Sequence, residues 1–438
     1  MSPRRSRAGA VPSAPPATGT RTVVLAPETF NLAETTRAIE VARALAGRHR
    51  CVFSGYSERY ASLVRDAGFE IRMLEPVLTD AQAEQLLRFD QGRALRSGFD
   101  VPTVRARVSA ETALLREVDA AVVVNGWTMT QLVSARVVGV PLVQLVPYAF
   151  SRPHLETLRR VPVNGGSSAL ARGVDTLAGT LLRHGLPRLT VRPRAFDVVA
   201  REHGLRLPRP TVLAMEADVT LVASMAGFLD DVPLPPGFAH VGPVFARLDV
   251  PVPDDVRRAV TSSDRPVVYV GLGSSASARL AERVLRALAA MPVTAVAPVT
   301  QYLDAPARER LQAELGPHVL LTDLLPTPEV LPLVDAAVLH GGEGTVQAAV
   351  TSGVPFVGMG LQLEQRWNVD ECERHGAALA ARPAEVGSRR FAAKVAAVVR
   401  DPRFRTAARG LQQRLAGVDG AARAAEHVHR LVTTGERP

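Results

Sequence analysis

Lysine is almost absent from this 438-residue chain: Lys394 is the only one, so nearly all of the 52 basic residues behind the net charge of +9 are arginine. The arginines are scattered, aromatics make up only 5% of the chain, and no basic stripe interleaved with aromatics appears, which argues against nucleic-acid binding. A bias to arginine and alanine is more simply a high-GC codon habit. Cysteine is equally scarce. Cys51 and Cys372 lie far apart and in no metal-type spacing, which excludes a disulfide framework and a cysteine metal site and fits free thiols in a reducing cytoplasm. No apolar run approaches the roughly 18 to 20 residues of a membrane span. The first 20 residues, MSPRRSRAGAVPSAPPATGT, lack the apolar core of a signal peptide and are expected to form a disordered tail.

What is present is an ordinary globular composition, 47% hydrophobic and 22% charged, on a length that favours two domains. RTVVLA at Arg21 to Ala26 reads as a buried strand; a polar loop and a helix with Ile39, Val41, Ala42 and Leu45 inward follow, then strands at Cys51 to Phe53 and Phe69 to Met73. Residues 78–117 pattern as helices. DAAVVV ends at Asn125, and Leu142 to Val146 closes another β-α-β unit. The stretch Tyr148 to Pro210, with Asn164 to Ser168 inside it, reads as irregular helices and loops shaping a pocket. Strands are read at Val219 to Ala223 and at His240 to Pro243, and proline density through Pro253 marks a linker. Strands recur at Val267 to Val270, Val293 to Val299, Val319 to Leu321 and Ala336 to Leu339, and two helices are expected after Asn368. Parallel strands with helical crossovers imply doubly wound sheets, in which ligands gather beyond the carboxyl ends of the strands.

The most informative stretch runs from Asp335 to Asn368, DAAVLHGGEGTVQAAVTSGVPFVGMGLQLEQRWN. A strand closed by His340 passes through Gly341, Gly342 and Gly344 into a helix expected to open at Thr345, which would cap it while binding a ligand. Unpaired amides at a helix start make an anion site suited to a diphosphate. On the next loop, the carboxylate of Glu364 and the amide of Gln365 are placed to bracket sugar hydroxyls.

HGGEGT, followed by Ser352-Gly353-Val354-Pro355 and then Glu364-Gln365 with Asn368, resembles the donor signature of the bacterial UDP-glycosyltransferase-like family. These are inverting family 1 glycosyltransferases of the natural-product type. The resemblance implies an α/β GT-B fold: two Rossmann-like doubly wound domains facing across a cleft, the acceptor on the first and a nucleotide sugar on the second. The boundaries it implies are a tail over 1–20, an acceptor domain over 21–232 and a linker over 233–255. A donor domain over 256–415 and a last helix over 416–438 crossing back to the first domain complete them. It implies His340, Gly342, Gly344 and Thr345 on the diphosphate, with Gly273 and Ser274, and Glu364 and Gln365 on the sugar. Leu325, in DLLPTP, falls in the base-binding stretch. Family members more often carry aspartate where Glu364 stands. The catalytic histidine and its aspartate fall on Glu34 and Asn125, so both are replaced: Glu34 is expected to act as base, steadied by Asn125. The implied partners are a UDP- or dTDP-sugar and a small-molecule acceptor, with no cofactor and no metal; a homodimer is compatible.

Other readings compete. Gly271-Leu272-Gly273-Ser274-Ser275-Ala276 fits the loose dinucleotide pattern, which would make the chain an NAD-dependent oxidoreductase, but Val293 to Gln301 ends without the ribose-binding acid. Loss of the His-Asp pair fits a non-catalytic homologue that binds a nucleotide or a partner enzyme. A sugar-nucleotide epimerase or hydrolase of the same fold is a third reading. Glu34 itself also reads as an ordinary helix-start carboxylate.

Overall fold

The computed structural model describes residues 20–90, 98–158, 161, 169–225, 228, 232–246, 251–273, 276–300 and 302–438. Residues 1–19 of the expected tail, Asn164 to Ser168, Ser274 and Ser275 lie outside the described residues.

Two wholly parallel sheets organise the chain. The first takes β1 (Thr22–Ala26), β2 (Arg50–Gly55), β3 (Glu70–Met73), β4 (Ala120–Asn125), β5 (Leu142–Val146), β6 (Val219–Val222) and β7 (Phe238–His240), in the order β3-β2-β1-β4-β5-β6-β7. The second takes β8 (Val267–Gly271), β9 (Thr294–Pro298), β10 (Val319–Thr322), β11 (Ala336–Leu339), β12 (Phe356–Gly358) and β13 (Ala378–Ala380), in the order β10-β9-β8-β11-β12-β13. Helices cover both faces of each sheet, so the strands are apolar on both sides. In β1, Val23 and Leu25 join one core while Val24 and Ala26 join the other; in β8, Val267 and Tyr269 part from Val268 and Val270 in the same way. Each fully buried valine or leucine contributes about 1.5–3 kcal/mol, and the central strands carry little else.

The order of strands decides where a site can form. In the first sheet the winding reverses between β1 and β4, paired with Ala26 opposite Asn125; in the second it reverses between β8 and β11, paired with Leu339 opposite Gly271. Loops leaving such neighbours diverge and open a crevice. The loop after β1 leads to Glu34, β4 ends on Asn125, β8 leads to Gly273 and β11 to His340. Topology thus assembles the candidate residues.

Three expectations are corrected. The strand read at His240 to Pro243 falls two residues earlier: Phe238–His240 pairs with β6 as an edge strand, since Phe238 and Ala239 are apolar enough to bury. β13 was not foreseen, because its three residues are too short to show a period. Beyond the helix Leu363–Arg374 stand three helices, Arg389–Arg400, Pro402–Leu415 and Gly420–Thr434. The last packs Ala424, Ala425, Val428 and Leu431 into the core of the first sheet.

Candidate active site

On the first sheet, Asn31 caps the helix Leu32–Leu45 by accepting from the amides of Ala33 and Glu34. In a capping box the glutamate three residues on would return to the cap's own amide. Here the amide of Asn31 donates to the Glu28 carbonyl instead, and the Glu34 carboxylate turns across the crevice. Its Oε2 accepts from the Glu28 amide at 3.1 Å and from the Trp127 amide at 3.0 Å. Trp127 lies with its ring centroid 5.8 Å from that of Phe150, which is half exposed, so an apolar wall adjoins the carboxylate.

Asn125 does not steady Glu34 by a side-chain bond, contrary to expectation. Its Oδ1 accepts from the Thr128 amide at 3.1 Å, because an asparagine ending a strand readily closes the turn that follows, and its buried Nδ2 has no partner among the described residues. Asn125 therefore reaches Glu34 only through the turn that carries Trp127. Behind this turn is a buried polar group that the sequence did not reveal. Arg107, fully buried, lies 3.4 Å from Glu28 and 3.9 Å over the Tyr56 ring. Tyr56 donates to Glu111 at 2.8 Å, as do the hydroxyls of Thr130 and Ser134. Burial pushes the Glu111 carboxyl up to about 7, against these four favourable neighbours.

On the second sheet, His340 is buried beside β8, its Nδ1 3.1 Å from the Gly271 carbonyl. A carbonyl accepts only, so Nδ1 carries the proton and Nε2 keeps the lone pair. Burial lowers the ring's pKa to about 4, outweighing the carbonyl. The imidazole fills the space between two glycines: a Cβ on Gly273, which has φ +55°, or on Gly342 would come 2.4 or 2.2 Å from the ring. Both residues are glycine to admit the histidine.

The helix Glu343–Thr351 starts at Gly342, which has no side chain to cap it, and the Glu364 carboxylate meets the backbone of Glu343 in its first turn. Thr345 stands in its first turn and does not open it; its hydroxyl donates to the Gly342 carbonyl at 3.0 Å. Gly344 is exposed, with open space where a Cβ would be. Glu364 and Gln365 lie in the first turn of the helix Leu363–Arg374 and not on a loop. Glu364 accepts from Asn368 at 2.6 Å, and burial together with the Glu343 carboxylate pushes it up to about 8. Gln365 is buried, accepting from the Leu361 amide and donating to Gln362, so its amide closes the turn before the helix. Leu325 is corrected as a base contact: it is 1% exposed in the second sheet's core, while Leu324 is 51% exposed. The two positions are adjacent, and the turn after β10 points one in and one out.

The two sides also touch. Glu343, inside HGGEGT, accepts from Ser224 at 2.8 Å and pairs with Arg37 at 3.2 Å, and Gln347 donates to the Ala223 carbonyl at 3.1 Å. Trp367 meets Tyr148 at a tilt and His154 and Phe228 edge-on. None of these contacts was anticipated, although Glu343 stands within the motif and Arg37 one helical turn beyond Glu34.

The sequence profile of the family described as UDP-glucoronosyl and UDP-glucosyl transferase matches residues 197–413. A PGL/p-HBAD biosynthesis glycosyltransferase of Mycobacterium tuberculosis (strain ATCC 25177 / H37Ra) is 28% identical over 390 residues, covering 88% of this chain and 86% of that protein. The 4'-demethylrebeccamycin synthase of Lentzea aerocolonigenes is 29% identical over 73% of this chain and 76% of its own. Among solved structures, the glycotransferase of kitacinnamycin superposes with a TM-score of 0.67 at 22% identity, over 94% of this chain and 98% of its own. The glycosyltransferase VinC, in complex with DTDP, gives 0.67 at 18%, over 94% and 99%. At such identities the structures establish the two-domain fold, and the sequence matches establish kinship. No helix among the described residues is long and apolar enough to cross a membrane. Together the profile, the relatives and the shared fold support a bacterial GT-B glycosyltransferase of family 1.

Proposed function

We propose that this glycosyltransferase moves a hexose-type sugar from a UDP- or dTDP-sugar to a hydroxyl of a small, largely apolar natural product, with inversion at the anomeric carbon. The observation that carries this reading is the amino end of the helix Glu343–Thr351, whose cap Gly342 offers no side chain, where Glu364 meets the backbone and which touches the Glu34-bearing helix through Arg37. Its amides and the open space at Gly344 suit a diphosphate. Glu364 lies beside them to meet the sugar, and Gln365 would join it on release of its local bonds. Across the crevice Glu34 takes the proton of the acceptor hydroxyl as its oxygen attacks the anomeric carbon. The bond to the diphosphate breaks from the opposite face, and its electron pair leaves with the phosphate oxygen. Trp127 and Phe150 offer the acceptor an apolar wall. The two free cysteines fit a cytoplasmic enzyme. The family profile, described for UDP-glucoronosyl and UDP-glucosyl transfer, supports UDP as a candidate, and the neighbour in complex with DTDP keeps dTDP beside it.

The test is release of UDP or dTDP from matched sugar donors, with and without a panel of phenolic and alcoholic acceptors, and with the product's anomeric configuration read by NMR. Acceptor-dependent release with an inverted glycoside is expected. Release independent of every acceptor would assign a hydrolase instead, and nucleotide binding without release would leave a non-catalytic homologue.

A further inference from the structure

Arg37 lies on the acceptor side of the crevice, one turn after Glu34 on the same helix, yet its guanidinium is held at the donor side. Its Nη2 is 3.2 Å from Oε2 of Glu343, the first residue of the helix whose amino end is the proposed diphosphate site. Both side chains are nearly buried, at 12% and 8% exposure. Among the described residues Glu343 is the partner of this guanidinium, through one of its five N–H groups.

The charges around it make this placement consequential. Glu343 and Glu364 are neighbouring carboxyl groups on the donor side, and Glu34 faces them from the acceptor side. A bound diphosphate adds further negative charge. His340 cannot answer it as a cation, since burial keeps its ring neutral at pH 7. Arg37 is near enough to lower the Glu364 carboxyl as well as that of Glu343.

Building on the donor site read above, we propose that Arg37 is a further catalytic residue, which contacts the terminal phosphate of the donor and takes up the charge developing there as the anomeric carbon–oxygen bond breaks. Glu343 is a positioning residue that holds the guanidinium across the crevice until the donor arrives. A charge-assisted contact that strengthens as the phosphate leaves raises kcat as well as affinity.

The competing role, a simple strut between the two sides, is separated by working in a background where the strut is already cut. Affinities for UDP, dTDP, UMP and dTMP are measured by calorimetry on the wild type, Glu343→Gln, and Glu343→Gln combined with Arg37→Met. The combined variant leaves neither member of the pair buried without the other, whereas Arg37→Met alone strands the Glu343 carboxyl, and a melting curve verifies that it remains folded. Relative to Glu343→Gln, the combined variant is expected to lose about tenfold to a hundredfold in diphosphate affinity. Monophosphate affinity should be unchanged, and the fall in kcat should exceed the fall in affinity. Equal diphosphate affinity and equal kcat in the two backgrounds would reduce Arg37 to a strut and overturn the proposal. A wild type that binds neither UDP nor dTDP would instead remove the donor site itself, and this inference with it.

Discussion

The amide of Trp127 donates to Oε2 of Glu34 across 93 residues of sequence, at 3.0 Å, and so fixes the carboxylate from the far wall of the acceptor crevice. Gly126 makes this possible, because a Cβ there would lie 2.3 Å from the same oxygen. A backbone donor cannot rotate away, so the fold itself orients the carboxylate. Asn125 contributes by tying Thr128 and shaping the turn.

Glu34→Gln is expected to lower kcat by about 10²- to 10⁴-fold, the weight of general base catalysis, with donor affinity unchanged. Gly126→Ala should lower kcat by displacing the carboxylate, and Asn125→Ala should cost less than either. Steady-state kinetics with one donor and one acceptor tests all three. A Glu34→Gln enzyme nearly as active as the wild type would mean that the acceptor is already acidic and needs no base.

His340 offers a second test, through its proton. The ring is neutral when the site is empty, and a diphosphate beside it favours the imidazolium, raising a pKa of about 4. Binding of UDP should therefore take up protons between pH 5 and 6, seen as buffer-dependent heats, and affinity should rise as pH falls. At pH 7 the neutral ring, its proton committed to the Gly271 carbonyl, has no N–H left for a phosphate, so His340→Ala should cost little affinity there and more at pH 5. Subtracting its heats removes the titration of the nucleotide itself. Identical proton uptake in variant and wild type would exclude the histidine from the phosphate site.

Glu364 should register in stability as well as in sugar selection. Its folded pKa of about 8 lies above the ordinary 4.5, so the folded state holds a proton that the unfolded chain releases earlier. Stability is then unaffected below about pH 4.5 and falls as pH rises from there towards 8. Melting curves at pH 5 and pH 8 should show a smaller fall for Glu364→Gln than for the wild type. The variant should bind free UDP or dTDP normally while turning over more slowly; a large loss of nucleotide affinity would reassign the residue to the phosphates.

Arg107→Met should destabilise the chain by about 3–5 kcal/mol, since it strands the buried Glu28 carboxyl without its counter-charge. Adding Glu28→Gln should recover much of that loss. Denaturant titration measures both, and an additive outcome in the double variant would show that the two groups do not act as a pair.

The sequence by itself determined the two-sheet organisation and the strand-glycine-helix unit at His340, because these rest on local periodicity and on backbone freedom within a few residues. Runs such as VVLA and AAVL are buried on both faces whatever surrounds them, and Gly341, Gly342 and Gly344 mark the turn wherever the chain goes. Short elements were the hardest: β13, with three residues, escaped, and the edge strand read at His240 to Pro243 in proline-rich surroundings falls two residues earlier, at Phe238–His240. Tertiary structure alone decided which side chains meet. Leu324 and Leu325 are equivalent in sequence, and only the turn after β10 sends one to solvent and the other to the core. Asn125 turned to Thr128, and the amides that hold Glu34 carry no side-chain signature at all. The pairing of Arg37 with Glu343 spans 306 residues and exists because two sheets reverse their winding at facing crevices. Such a contact depends on how the two halves dock, and docking is set by the summed shape and charge of both surfaces and not by any stretch of sequence near either residue.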